Sequence, residues 1–398
     1  MGIKVKLLEK REGSLARILR VEARGVAFST PNYAVSLNSL DNKHLSSKQL
    51  KGVVELPVEF KLSKIGRIIG SSELRDERAS RYRSLQRRVP ENQVLVSVPI
   101  LARGKQDMGE IEKPLLKEYI QQLVEILVSP RVNIVCTPIF HKLPEKIYVE
   151  VINDFIEHTS LLDVAVAPSI PYASRAVHSE LVKLYQRALN KSSNFSLNFI
   201  CVDFNGSNAI NKYPHYNYVL ALSKTIEKEY GEPVLLYGVN VKFGKAAPKY
   251  PEIPARDLVS YFIGVDLIGT NHKKLILPQE VMDRMSPKAE LKILVRQDYS
   301  YINIDKLKKD KDVGRLLSEI ESLEKSKTSE VIKKHNIREA LLEAEHLRNK
   351  VFKSNSETHP VKYLLSKKGI INDERTKKIV NKVTQQFAKS KSLEDYIT

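Results

Sequence analysis

The sequence predicts an α/β protein built on a (β/α)8 TIM-like barrel, followed by a C-terminal helical extension. Eight short, mostly apolar runs recur along the chain, and each is typical of a parallel strand that is buried on both faces. Amphipathic helical stretches lie between several of these runs. Strands and helices that alternate in this way favour a closed barrel, with a doubly wound open sheet as the alternative.

The predicted strands are bounded by polar or glycine-containing segments. In chain order they are Tyr33–Leu37, Val53–Phe60, Val94–Leu101, Val132–Thr137, Asp163–Ala167, Asn198–Phe204, Val234–Asn240 and Phe262–Ile268.

Apolar residues at helical spacing predict the intervening helices. They cover Lys113–Leu127, Ser179–Leu189 and Tyr216–Tyr230. A short helix is also expected over Ile253–Ser260, because Pro254 near its start suits the first turn of a helix.

An arginine-rich segment, Gly66–Arg88, separates the second and third predicted strands. It has two interpretations: a long, partly mobile excursion at the barrel mouth, or a solvated helix with Arg–Glu pairs. In the first interpretation its arginines are candidates for contacts with phosphate groups. They are Arg75, Arg78, Arg81, Arg83, Arg87 and Arg88.

Composition divides the chain into three parts. Residues 1–304 hold the predicted barrel, and residues 305–354 are charged, helical and almost free of glycine and proline. Residues 361–398 form a Lys-rich helical tail. Its apolar positions Ile379, Val380, Val383 and Phe387 have helical spacing, so we expect this tail to dock on the rest of the protein.

The net charge of +18 attracts polyanions, of which nucleic acid is the most common. The alternative is a basic protein rich in Lys–Glu ion pairs. The two cysteines, Cys136 and Cys201, argue against a disulfide framework and favour a reducing, cytoplasmic location. No apolar run reaches the ~18 residues of a membrane helix and no export signal is present, so no membrane association is expected.

In a barrel, functional groups lie at the carboxyl ends of the strands. Asp203 and Asp266 are the candidate catalytic residues there, and Lys273 with Lys274 could bind phosphate just beyond the last strand. The alternative is turn chemistry, since Asp and Asn commonly cap helices and form turns. The polar residues predicted at these ends are Glu59, Asp203, Asn205, Asn240, Asp266, Asn271 and His272.

The sequence contains no glycine-rich phosphate loop and no set of metal ligands at the usual spacing. We therefore predict neither a cofactor nor a bound metal.

Three segments of the chain follow one another in a characteristic order. In Ser14–Leu37 a basic-apolar lead-in runs through Thr30-Pro31 into the first strand. Tyr237–Asn240 and Gly264–Gly269 belong to the last two predicted strands, and Lys334–Ile337 opens a predicted C-terminal helix. Together these segments resemble the tRNA-guanine transglycosylase family, over roughly residues 3–350. The resemblance implies a TIM-like barrel that exchanges guanine or 7-deazaguanine bases in nucleic acid.

The resemblance also implies catalytic groups that this chain lacks. Family members attack the ribose C1′ with a carboxylate at the end of the eighth strand, and Gly269 stands at that position here. Asp266 is three positions earlier, so its side chain is expected on the other face of the strand. The family's other carboxylates align with Ser97 in the third strand and Pro138 after the fourth.

The zinc site of the family is also missing. Its three cysteines align with Tyr299, Tyr301 and Ile304, and His335 alone cannot hold structural zinc. We expect His335 to be a helix-start or packing residue.

These observations leave three functional hypotheses. The first is a diverged, non-catalytic protein that binds tRNA or DNA, or that pairs with a catalytic transglycosylase subunit or with a second copy of itself. The second is an active base-exchange enzyme, a pentosyltransferase that uses relocated carboxylates, Asp203 and Asp266. The third is an unrelated TIM-barrel enzyme that acts on a small phosphorylated substrate.

Overall fold

A computed structural model describes residues 2–37, 52–61, 65–102, 113–127, 131–141, 145–244, 252–272, 292–304 and 325–389. Lys273 and Lys274 lie outside these ranges. Within the described ranges, no helix is long and apolar enough to cross a membrane.

A parallel sheet of ten strand segments forms the centre of the fold. The segments are β4 (Asn32–Ser36), β5 (Val53–Lys61), β6 (Val94–Ala102), β7 (Ile134–Cys136), β8 (Ile139–His141), β9 (Ala165–Ala167), β10 (Ser169–Ile170), β11 (Phe199–Ser207), β12 (Leu235–Val241) and β14 (Leu267–Gly269).

The ten segments occupy eight positions, because β7 and β8 both pair with β6, and only Pro168 separates β9 from β10. β9 pairs with β7 and β10 pairs with β11. The one position that β9 and β10 share therefore joins the β7 side of the sheet to the β11 side. β14 pairs with β12 and with β4. The sheet therefore closes into the predicted barrel, and all eight predicted strands contribute to it.

Helices surround the barrel in the order that the sequence predicts. The first six are α1 (Ile65–Ile69), α2 (Ser72–Gln86), α3 (Lys113–Leu127), α4 (Glu145–Ser160), α5 (Arg175–Lys191) and α6 (Tyr213–Tyr230). The arginine-rich segment forms α1 and α2, which supports its interpretation as a helix. α4 was not predicted from the sequence.

Side chains on the barrel strands alternate between two cores. In β12, Leu235 and Tyr237 belong to the interior cluster, whereas Leu236 between them packs outward with the helices. The same alternation in β14 sends Leu267 inward and Ile268 outward. Interior positions near the carboxyl ends of the strands are therefore the ones that face the barrel mouth.

An antiparallel sheet closes the opposite end of the barrel. It comprises β1 (Lys4–Lys10), β2 (Arg17–Ala23) and β3 (Val26–Ser29). Val5, Leu19 and Phe28 from this sheet join the interior cluster, together with residues that begin barrel strands, such as Val53 and Val94. The amino-terminal ends of the strands are thus covered by this sheet, so a site inside the barrel would open at the carboxyl ends.

The Thr-Pro step joins this sheet to the barrel. Thr30 Oγ1 accepts a hydrogen bond from the backbone N–H of Leu19 at 3.0 Å, and the Thr30 N–H donates to the Leu19 carbonyl at 2.9 Å. The Thr30–Pro31 peptide is cis. Arg348 donates to the Pro31 carbonyl at 2.6 Å, which ties the C-terminal helices to the same point.

Residues before and after β14 form a second antiparallel sheet and several further helices. The sheet contains β13 (Glu252–Pro254), β15 (Lys292–Val295) and β16 (Ser300–Asn303). The helices are α7 (Arg256–Val259), α8 (Lys325–His346), α9 (Pro360–Leu365), α10 (Lys368–Ile371) and α11 (Glu374–Lys389). Val380 and Val383 of α11 are buried in the core that the barrel helices share.

Two predicted elements near residue 260 need correction. Glu252–Pro254 is a strand, so the helix predicted over Ile253–Ser260 begins only at Arg256. Ser260–Ile263 is a 3-10 helix that ends at Gly264, whose φ of 98° is left-handed. The eighth strand therefore begins at Leu267, and Asp266 precedes it.

Candidate functional site at the barrel mouth

Asp203 lies on β11 near the barrel mouth, as predicted, and is 2% exposed. Its Oδ1 accepts hydrogen bonds from Asn240 Nδ2 at 2.8 Å and from the backbone N–H of Asn205 at 2.9 Å. The regular pairing of β11 with β12 ends at Asp203, where the register shifts. Asp203 is therefore anchored between the ends of the sixth and seventh strands.

Asn205 and Asn240 both adopt left-handed backbone conformations, with φ of 51° and 52°. Such conformations are uncommon outside glycine, and they cluster at functional sites. Here the amide of Asn240 gains two partners, since its Oδ1 also accepts from the His272 N–H at 3.1 Å. The strand ends are thus held in one network.

Glu55 is the central carboxylate of the mouth, although the sequence analysis did not select it. It points into the barrel from β5 and is 0% exposed. Its Oε1 accepts from the Thr270 N–H at 2.7 Å and from His272 Nε2 at 2.8 Å. Its Oε2 accepts from the Tyr237 hydroxyl.

The environment of Tyr237 keeps its phenol protonated. Burial and the neighbouring Glu55 carboxylate raise its pKa well above the usual value. The Tyr237 hydroxyl therefore keeps its proton and donates a hydrogen bond to Glu55. This is the third hydrogen bond that the buried carboxylate accepts.

Gly269 lies against this carboxylate. A Cβ built on Gly269 would overlap Glu55 Oε2 and would come within 2.9 Å of the Tyr237 hydroxyl oxygen. Its φ is not left-handed, so the backbone does not require glycine here. The space where an eighth-strand side chain would begin is occupied by Glu55 and Tyr237.

His272 connects the two carboxylates. Its ring bonds Glu55 and its backbone bonds Asn240, which in turn bonds Asp203. Its side chain is 10% exposed, whereas Glu55 is fully buried. Glu55 fixes the orientation of the imidazole, and the partly exposed side chain of His272 is accessible to a ligand at the mouth.

Asp266 is not part of this site. Arg17 donates to both of its carboxylate oxygens, at 2.9 and 2.8 Å, and the Leu236 N–H donates to Oδ2 at 2.9 Å. Since Asp266 precedes the eighth strand, it lies toward the closed end of the barrel. The prediction that it lies at a carboxyl end was wrong, because the chain turns at Gly264 before the strand begins.

Arg17 also pairs with Glu227 at 2.6 Å. Burial raises the pKa of Glu227, but Arg17 and Lys224 outweigh that effect and lower it to about 2. Arg17, Asp266 and Glu227 therefore form a charged cluster that links β2, α6 and the start of β14.

The predicted phosphate-binding arginines all lie on or just after α2, but in two environments. Arg75 and Arg78 are half-buried and donate to the carbonyls of Ile69 and Glu59. The others are exposed: Arg81, Arg83, Arg87 and Arg88.

The residues that align with the family's zinc ligands make hydrogen bonds with other parts of the protein. The Tyr299 hydroxyl donates to Glu343 at 2.5 Å, and the Tyr301 hydroxyl donates to Asp257 at 2.6 Å. His335 Nε2 contacts the Leu294 carbonyl at 3.2 Å. These residues do not fit a metal site, and no cluster of three or more His, Cys, Asp or Glu within the described ranges could hold a metal ion.

The Lys-His-Asn-Ile segment lies within α8 rather than at its start. Asn336 accepts from the Leu294 N–H and donates to the Lys292 carbonyl, each at 2.8 Å. It thereby pairs with the backbone of β15 as another strand would. His335 is thus a packing residue of the helix.

Comparisons with known protein families and with curated proteins find no match for this chain. The resemblance to transglycosylases therefore rests on the residues themselves.

Proposed function

We propose that this chain is a diverged transglycosylase-like protein that binds nucleic acid without itself exchanging a base. It would act as a partner subunit in 7-deazaguanine modification of tRNA or DNA. The observation that supports this most is the filled space beside Gly269, where the resemblance would place the attacking carboxylate.

A displacement at C1′ needs an ionised carboxylate that can reach the sugar. Glu55 is 0% exposed, and its two oxygens accept three hydrogen bonds. Asp203 is 2% exposed and anchored by Asn240 and Asn205. Both carboxylates are committed to holding the mouth together, which favours a binding role.

Charge supports nucleic acid as the partner. The net charge is +18, and α2 carries exposed arginines. Cys136 and Cys201 are free thiols, in keeping with a cytoplasmic protein. The proposed assembly pairs this chain with a catalytic transglycosylase subunit or with a second copy.

The test is incorporation of labelled guanine or a 7-deazaguanine precursor into tRNA and duplex DNA. The purified chain should bind nucleic acid and incorporate no label. Incorporation by the chain alone would contradict the proposal.

One observation favours the second candidate, an active base-exchange enzyme. The Glu55 carboxylate lies against Gly269, close to where the missing side chain would carry its own. If the chain is active, Glu55→Gln and Asp203→Asn should abolish incorporation. Lys183→Ala/Arg187→Ala, which changes two exposed cations on α5, should leave it unchanged.

A further inference from the structure

A cavity of about 320 Å³ opens beside the carboxyl end of β5. Three of its six lining side chains are cationic and only one is acidic, so the cavity favours an anion. The lining residues are Glu59, Lys61, Arg67, Ile68, Leu74 and Arg78.

Arg78 is fixed in place before any ligand arrives. Its guanidinium carbon lies 4.6 Å from the centroid of the Phe60 ring, and Nη2 donates to the Glu59 carbonyl at 3.3 Å. An arginine held in this way loses little side-chain entropy when it binds an anion, which increases affinity.

Lys61 and Arg67 form the solvent-exposed part of the cavity wall. Both side chains are exposed, so they can close on an anion from the solvent side. Lys61 ends β5, the strand that also carries Glu55. The cavity therefore lies at the mouth edge of the barrel, where a nucleic acid that covers the mouth would pass.

We infer that this cavity binds a backbone phosphate of the nucleic acid, with Arg78 as the fixed contact and Lys61 and Arg67 as the closing contacts. This inference rests on the proposed function, because it identifies where the nucleic acid is held. A small phosphorylated molecule has the same chemistry, and the experiment distinguishes the two sources.

The experiment measures binding of labelled tRNA and duplex DNA by fluorescence anisotropy across a salt series. Lys61→Ala/Arg67→Ala should weaken binding about tenfold or more near 0.1 M salt and lower the salt slope by about 2. The matched control, Lys183→Ala/Arg187→Ala on α5, removes the same charge from exposed positions on the other side of the barrel. It should weaken binding less than twofold.

Equal losses in the two double variants would overturn the inference and leave the proposed function standing, since net charge alone would then explain binding. Both pairs of side chains are exposed, so neither double variant should change its melting temperature relative to wild type. An unchanged melting temperature excludes a folding defect as the cause of weaker binding. A charge-preserving Lys61→Arg/Arg67→Lys variant should retain most of the affinity, and failure to do so would also count against the inference.

Inorganic pyrophosphate separates the two phosphate sources. If the wild-type protein binds no nucleic acid, but pyrophosphate raises its melting temperature and not that of Lys61→Ala/Arg67→Ala, the proposed function fails, and the cavity binds the phosphate of a small molecule instead of a nucleic-acid backbone. If neither ligand binds, both are overturned.

Discussion

The Glu55 carboxylate occupies the space that a side chain at position 269 would enter. Glu55 belongs to the second barrel strand and Gly269 to the eighth, and the two strands flank β4. Interior positions of nearby strands meet at the same level of a barrel, so a long side chain from one can fill the place of a missing side chain on another. The Glu55 side chain therefore fills the space at the end of the eighth strand.

A double-mutant cycle tests this contact. Gly269→Ala should lower the free energy of unfolding by about 1–3 kcal/mol, because the new Cβ overlaps Glu55 and Tyr237. In a Glu55→Ala background the cost should fall by about 1 kcal/mol. Urea denaturation provides the measurement. Gly66→Ala is the control, since a Cβ there has no atom within 4 Å.

Arg17 should be essential for stability. Arg17→Met leaves Asp266 buried without its partner and should cost about 3–5 kcal/mol of unfolding free energy. Lys377→Met removes one side of the solvent-exposed pair with Glu374 and should cost less than about 1 kcal/mol. Similar losses in the two variants would show that the Arg17 cluster is not the strong contact described above.

Asp257 should make stability depend on pH. Burial raises its pKa to about 6, and the hydrogen bond from Tyr301 offsets part of that effect. The folded state therefore holds the Asp257 proton more tightly than the unfolded chain, in which the pKa has its ordinary value of 3.8. The resulting contribution to the free energy of unfolding is fully present below about pH 4 and is lost as the pH rises through 6.

Asp257→Asn removes the ionisation. Its melting temperature relative to wild type should therefore rise between pH 4 and pH 7, by the equivalent of at most about 3 kcal/mol. Melting curves at several pH values measure this gap. A gap that stays constant over that range would contradict the assignment.

The exposed arginines on and just after α2 should contribute to nucleic-acid affinity. Arg81→Ala/Arg87→Ala/Arg88→Ala should lower the salt slope by up to about 3, because each phosphate contact adds about one unit. The control removes three exposed cations from α5, Lys183, Lys191 and Arg187. If both triple variants bind alike, α2 has no specific role.

Periodicity was sufficient to predict the barrel, since all eight apolar runs contribute strands. It misplaced the eighth strand because Phe262 and Ile263 are as apolar as a strand but form a 3-10 helix. The break depends on the left-handed Gly264, which an apolar pattern does not reveal. α4 was missed, although its buried residues Tyr148, Val151, Ile152, Phe155 and Ile156 have helical spacing.

The site was only partly predictable. Asp203 and Asn240 lie at the ends of predicted strands and His272 follows one, so strand ends identified them. Glu55 lies inside a run, Val53–Phe60, and its selection required noticing a charge within a buried strand. Its proximity to Gly269 depends on barrel closure, which brings together residues more than 200 positions apart.

The affinity of the intact chain for tRNA and duplex DNA, measured as a function of salt, tests directly whether this barrel binds nucleic acid through its basic surface. We expect log K to fall linearly and steeply with log salt, because phosphate contacts release counterions. Absence of binding, or an affinity that does not change with salt, would contradict it.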